Sequence, residues 1–162
     1  MDALIKLSTQ LGQALKEKNF TLALAESCTG GLASAAITDI AGSSAWFDRG
    51  FVTYTNAAKQ SMLKVTEQTL IQYGAVSEET AHELAVNIAK KLNSEIGVGI
   101  TGIAGPDGGT EEKPVGLVFV GISYKNNVYI KKYNLTPNRN INRELTVILC
   151  LNEIRKILEN SK

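Results

Sequence analysis

The chain has 162 residues, with 17 Lys+Arg against 16 Asp+Glu (formal net charge +1), one His, two Cys, 44% hydrophobic and 6% aromatic residues. That length and apolar share fit one globular domain burying about two-thirds of its unfolded surface, and they exclude a disordered chain. Near-neutrality supplies no global pull toward nucleic acid or an acidic membrane, and two cysteines with one histidine cannot build the usual Cys/His zinc cage.

Leu4, Leu7, Leu11 and Leu15 mark one face of an opening amphipathic helix, unlike the continuous apolar core of a signal peptide. No stretch reaches the roughly 20 apolar residues of a membrane span, so the default reading is a cytoplasmic protein with reduced thiols. Residues 21–25 (TLALA) predict a buried strand, ESCTGG a turn, and residues 31–40 a small-residue helix. Residues 46–54 carry the β-branched and aromatic types of a strand, and helices are predicted over 56–65 and 67–73, the latter stopping at Gly74. Ser77 N-caps a helix over 78–92 with two acids in its first turn. His82 falls beside the apolar stripe of Ala81, Leu84, Ala85, Ile88 and Leu92, as an ordinary surface or boundary histidine. A Ser-His-Asp triad would hang on this one residue, so another base is expected. Residues 96–101 (IGVGIT) predict another buried strand, followed by the Gly/Pro-rich loop GIAGPDGGTEEKP.

VGLVFVGISY and VYIKKYNL flank Asn126-Asn127 as a hairpin. Thr136-Pro137-Asn138 offers an N-cap with Pro at an early helical position, and a final helix carries Ile141, Leu145, Ile148, Leu149, Ile154 and Leu158, with Cys150 on its apolar face. Strands alternating with helices, plus one hairpin, predict a single α/β domain over residues 1–162. Its three layers, α/β/α, enclose a mixed, mostly parallel sheet.

Two loops follow buried strands and concentrate glycine with small hydroxyl residues. One is Glu26, Ser27, Cys28, Thr29, Gly30 and Gly31; the other begins Thr101, Gly102, Ile103, Ala104 and Gly105. In open α/β sheets ligands gather at the carboxyl ends of strands, and glycine lets backbone N–H groups approach an anion. Phosphate or nucleotide binding is therefore the physical hypothesis, with tight turns as the bland alternative; neither loop matches a Rossmann or P-loop pattern. A third stretch, residues 42–59, holds Ser43 and Ser44 in a turn, then a strand ending near Tyr54, then Lys59 in the next helix. With histidine set aside, a neutral, partly desolvated lysine is the remaining common base for a serine. On pattern alone Lys59 reads as a solvated helix lysine.

The segments AESCTGG, DIAGSSAWFDRGFVTYTNAAK, GAVSEETA and TGIAGPDGGTEEKPVG resemble the CinA C-terminal domain family in order and through almost the whole chain. The resemblance implies hydrolysis of the carboxamide of nicotinamide mononucleotide (NMN) to nicotinate mononucleotide and ammonia, in pyridine-nucleotide recycling, with no metal or cofactor. It assigns the nucleophile to Ser44, with Tyr54 and Lys59 as its helpers. It gives substrate binding to Glu26, Ser27, Cys28, Thr29, Gly30, Gly31, Thr101, Gly102, Ala104 and Gly105, Thr101 making a direct hydroxyl contact. Arg143 resembles the family arginine that would meet phosphate, with Arg139 as its competitor. Cys28 is then a pocket wall rather than a nucleophile. The implied partner is a small molecule, with no nucleic acid or membrane, and the implied assembly is a homo-oligomer. Longer relatives fuse this domain behind a larger one, and this chain resembles the stand-alone version. The alternative is a non-catalytic nucleotide-binding module, against which Ser44, Tyr54 and Lys59 together favour an enzyme.

Overall fold

The computed structural model describes residues 2–161, and its five strands are β1 (Leu22–Glu26), β2 (Phe47–Val52), β3 (Ile96–Gly102), β4 (Leu117–Tyr124) and β5 (Asn127–Asn134). They form one sheet in the order β2-β1-β3-β4-β5. β1 pairs in parallel with both β2 and β3, while β4 is antiparallel to β3 and β5. Four strands therefore run the same way and β4 alone is reversed, matching the expected mixed, mostly parallel sheet. Every residue of β1 is buried, as an apolar run covered on both faces requires.

Helices α1 (Asp2–Lys18), α2 (Leu32–Thr38) and α6 (Arg139–Asn160) pack on one face, where Leu11, Leu15, Ile37, Val147, Leu151 and Ile154 meet Leu24, Val98, Ile100 and Val120. The other face carries α3 (Asn56–Leu63), α4 (Glu67–Tyr73) and α5 (Glu78–Leu92), with Leu63, Leu84 and Ile88 against Ala23 and Ala25. Gly97 and Gly99 let α5 lie directly on β3: a Cβ at Gly97 would stand 2.2 Å from the Ala85 carbonyl oxygen, and one at Gly99 2.6 Å from that of Ala81. Cys150 is fully buried in the core and His82 is exposed, both as expected.

Several elements are shorter than expected, with α2 spanning Leu32–Thr38, β2 Phe47–Val52 and α3 Asn56–Leu63, and two turns are placed differently. The hairpin turns on Lys125 and Asn126, both at positive φ, so Asn127 is the first residue of β5, paired with Tyr124. The α6 N-cap is Asn138, whose side chain accepts from the Ile141 N–H. Pro137 therefore precedes the helix, and the Thr136 hydroxyl bonds Asn142 instead.

Candidate active site

Residues 26–31 leave the carboxyl end of β1 in a turn closed by Gly30 N–H on the Ser27 carbonyl, 3.0 Å. Ser27 donates its own N–H to the Ile100 carbonyl of β3, which fixes it at the strand end beside the second loop. Beyond β2, Thr55 N-caps α3 by accepting from Ala58 N–H, and this sets Lys59 one turn into the helix, facing inward. Lys59 is 1% exposed. Its Nζ donates to Ser27 Oγ at 3.0 Å and to the Thr53 carbonyl at 2.8 Å. Among the described residues no carboxylate pairs with it.

A lysine buried without a counter-ion is rare, because desolvation disfavours the ammonium. Burial accordingly pulls the Lys59 pKa below its usual 10.5, against a smaller opposing influence from Cys28. In the neutral amine, the same 3.0 Å separation lets the Ser27 O–H donate to the nitrogen lone pair while an N–H stays on Thr53. The arrangement has the parts of a nucleophile and its base.

The pair lies on a cleft of about 270 Å³ whose walls include Cys28, Tyr54, Asn56, Val76, Thr101, Gly102, Ala104, Gly105 and Arg139. A roomier groove, about 550 Å³, runs between α3 and α5 past Met62, Lys64, Glu83, Asn87 and Lys90. Glu83 Oε2 is buried there without a partner, but the lysines of this groove are exposed, and a buried amine on a serine hydroxyl occurs only in the smaller cleft among the described residues.

The structure separates residues that sequence reasoning had grouped. Ser44 is exposed in a short 3-10 turn (Ser43–Ala45) ahead of β2, near Trp46, whose carbonyl accepts from Leu22 N–H at the start of β1. Ser27 lies five residues farther along β1, about 16 Å at strand rise, so Ser44 stands at the opposite end of the sheet from Lys59. Tyr54 does reach the cleft, but its hydroxyl accepts from Arg139 Nη2 at 2.9 Å, and it makes no hydrogen bond to Lys59 among the described residues.

Of the residues expected to bind substrate, Ser27, Cys28, Thr101, Gly102, Ala104 and Gly105 line the cleft, whereas Glu26, Thr29, Gly30, Gly31 and Arg143 do not. The Glu26 carboxylate is saturated by Thr29, Ala33 and Ser34. Gly30 and Gly31 sit at φ 57° and 102°, so here the tight-turn reading holds for them. Thr101 spends its hydroxyl proton on the Ala75 carbonyl at 2.7 Å, leaving only lone pairs for a ligand. The Cys28 thiol is pushed up to about 11, by burial first, which suits a wall and not a nucleophile.

Arg143 clamps the first loop, donating to the carbonyls of Cys28 (3.1 Å) and Thr29 (3.0 Å). Arg139, its competitor, points into the cleft, with Nη1 on the Gly105 carbonyl at 2.6 Å and Nη2 on Tyr54. Buried Asn142, between them on α6, donates to the Ala104 carbonyl at 2.9 Å. The opening turns of α6 thus hold both loops by their carbonyls. Asn142 and the Thr53 carbonyl went unnoticed in the sequence. An Asn just inside a helix that follows an Asn cap was the one available cue.

The CinA C-terminal domain profile matches residues 4–158. The chain belongs to the CinA C-terminal domain family. It is 49% identical over 157 residues to the nicotinamide-nucleotide amidohydrolase PncC of Enterobacter agglomerans, covering 96% of each chain. It is 59% identical over 116 residues to the protein of the same name from Escherichia coli K12, spanning 72% of this chain and 70% of that one. Among solved structures, the competence/damage inducible protein CihA of Agrobacterium tumefaciens superposes with a TM-score of 0.93 at 41% identity, over 97% of this chain and 96% of the other. In this CinA domain, no three His, Cys, Asp or Glu side chains among the described residues converge on a metal position, and no helix is long and apolar enough to cross a membrane.

Proposed function

We propose that the chain is an amidohydrolase acting on the carboxamide of NMN, with Ser27 as nucleophile and Lys59 as its base. The observation that carries this reading is the buried, carboxylate-free Lys59 amine 3.0 Å from a serine hydroxyl on a cleft floor. The names of the Enterobacter and Escherichia relatives supply the substrate.

Neutral Lys59 takes the Ser27 proton as Oγ attacks the amide carbon, and the carbonyl electron pair moves onto oxygen. The oxyanion needs donors fixed in advance. The main-chain N–H groups of Cys28 and Thr29, central in the turn, donate to no main-chain carbonyl among the described residues and are the candidates. Collapse of the intermediate expels nitrogen, and the proton from Lys59 lets it leave as ammonia. Water, deprotonated by the same amine, then cleaves the Ser27 ester to release the carboxylate and restore the hydroxyl.

Arg139 suits the phosphate. Its guanidinium stands on the cleft wall with only two of its five N–H donors spent on protein. Arg143, committed to the loop carbonyls, is a structural clamp in this scheme. Such an enzyme returns a pyridine amide nucleotide to its acid form, a recycling step.

The test is ammonia release from NMN by the purified protein without added metal, for wild type and Lys59→Met. Steady release by wild type and none above background by Lys59→Met is expected. An inert wild type that still binds NMN would instead make this a nucleotide-binding module.

A further inference from the structure

Glu26 immediately precedes Ser27, and its carboxylate is 1% exposed yet lies outside the cleft wall. Oε1 accepts from Thr29 Oγ1 at 2.7 Å and Ala33 N–H at 2.9 Å; Oε2 accepts from Ser34 N–H at 3.0 Å and Ser34 Oγ at 2.7 Å. Each oxygen is doubly served, which leaves nothing for a ligand. The helix that receives it needs such help, because Gly31 at the α2 N-cap has no side chain to cap with.

The main chain of the same residue points toward the base. The Glu26 carbonyl accepts from Thr53 N–H at 2.7 Å, and the Thr53 carbonyl holds Lys59 Nζ at 2.8 Å. One residue thus grips the far side of the turn bearing Ser27 with its side chain, and the strand end that aims Lys59 with its backbone.

We propose that Glu26 is a positioning residue of this site: its carboxylate ties residues 26–34 into one closed cradle that keeps Ser27 Oγ on Lys59 Nζ. This rests on Ser27 and Lys59 being the reactive pair. The chemistry of Glu26→Gln makes the role testable. Each carboxylate oxygen faces one main-chain N–H, of Ala33 or of Ser34. A Gln amide therefore sets its NH2 against a main-chain donor in either orientation, and a main-chain N–H cannot turn to accept. The cradle loosens, while the cleft residues and their chemistry stay unchanged.

The experiment is covalent labelling by a small fluorophosphonate, which forms an Oγ–P bond and expels fluoride while the serine proton passes to Lys59. Its rate constant is read by mass spectrometry below each variant's melting temperature, so it reports reactivity per folded molecule. Wild type is labelled at Ser27 and Lys59→Met is not. Glu26→Gln is labelled at least about tenfold more slowly, and its kcat for NMN falls in step while KM stays within about threefold, as misplacement of bound reactants predicts. Ser34→Ala, which deletes one of the four donors, gives a smaller slowing and carries the test should Glu26→Gln not fold. Wild-type labelling rates in whichever of these two variants folds would overturn the positioning role. A wild type unlabelled at Ser27, or Lys59→Met labelled as fast as wild type, would overturn the pairing beneath it.

Discussion

Ser27 and Ser44 stand at opposite ends of the same two parallel strands, and nearly everything that distinguishes them follows from that. Ser27 leaves the carboxyl end of β1, 7% exposed, between a buried amine and a second glycine-rich loop. Ser44 lies in the 3-10 turn ahead of the amino end of β2, exposed to solvent. A hydroxyl becomes a nucleophile through its surroundings, and here only one end of the sheet supplies them. The comparison agrees with the general placement of ligands beyond the carboxyl ends of strands in open α/β sheets.

The contrast can be broken most directly by exchanging the two serines for alanine. Ser27→Ala is expected to lower kcat for ammonia release from NMN by at least about a thousandfold, and Ser44→Ala to leave it within about twofold. The reverse outcome would return the nucleophile to the far end of the sheet.

A second measurement sharpens what the buried end does. Lys59 acts as a base only when neutral, so log kcat/KM should rise with pH through its free-enzyme pKa, which burial sets below 10.5. The same shift has a stability signature. Between the lowered folded value and 10.5 the unfolded chain binds more protons at Lys59 than the folded one, so stability from this group grows as pH rises across that window. Denaturant unfolding at a series of pH values should show that slope in wild type and lose it in Lys59→Met.

The smallest effect separates binding from chemistry at the favoured end. Arg139→Ala should raise KM for NMN about ten- to fiftyfold and change kcat less, while nicotinamide riboside, which lacks the phosphate, should be turned over as by wild type. Equal damage to both substrates would reassign Arg139 to holding Gly105 and Tyr54 in place.

Much of the layer order was legible because the apolar runs at residues 21–25 and 96–101 lack alternation, as strands buried on both faces do. The two loops were legible as a pair for a similar reason, since each follows such a strand. Partner choice was not. Lys59 sits on an unremarkable helix, and only the pairing of β1 with β2 carries its side chain back to Ser27. Glu26 looks like a ligand group in its glycine-rich turn, and Arg143 through the family resemblance, but carbonyls and amides of the turn consume them first. Long-range hydrogen bonds of this kind leave no periodicity to read. The hairpin was misplaced by one residue because two asparagines compete for a turn that in fact begins at a lysine.

The clamp from α6 bears on when the molecule becomes chemically competent. Arg143 lies 114 positions beyond Thr29, and Arg139 lies 85 beyond Tyr54. During synthesis the serine and the amine emerge and can approach each other while both loops still lack the helix that grips their carbonyls. The anion-binding wall arrives with that helix as well. A nascent or truncated chain would carry the reactive groups without the frame that aims them, which couples the onset of activity to completion of the fold.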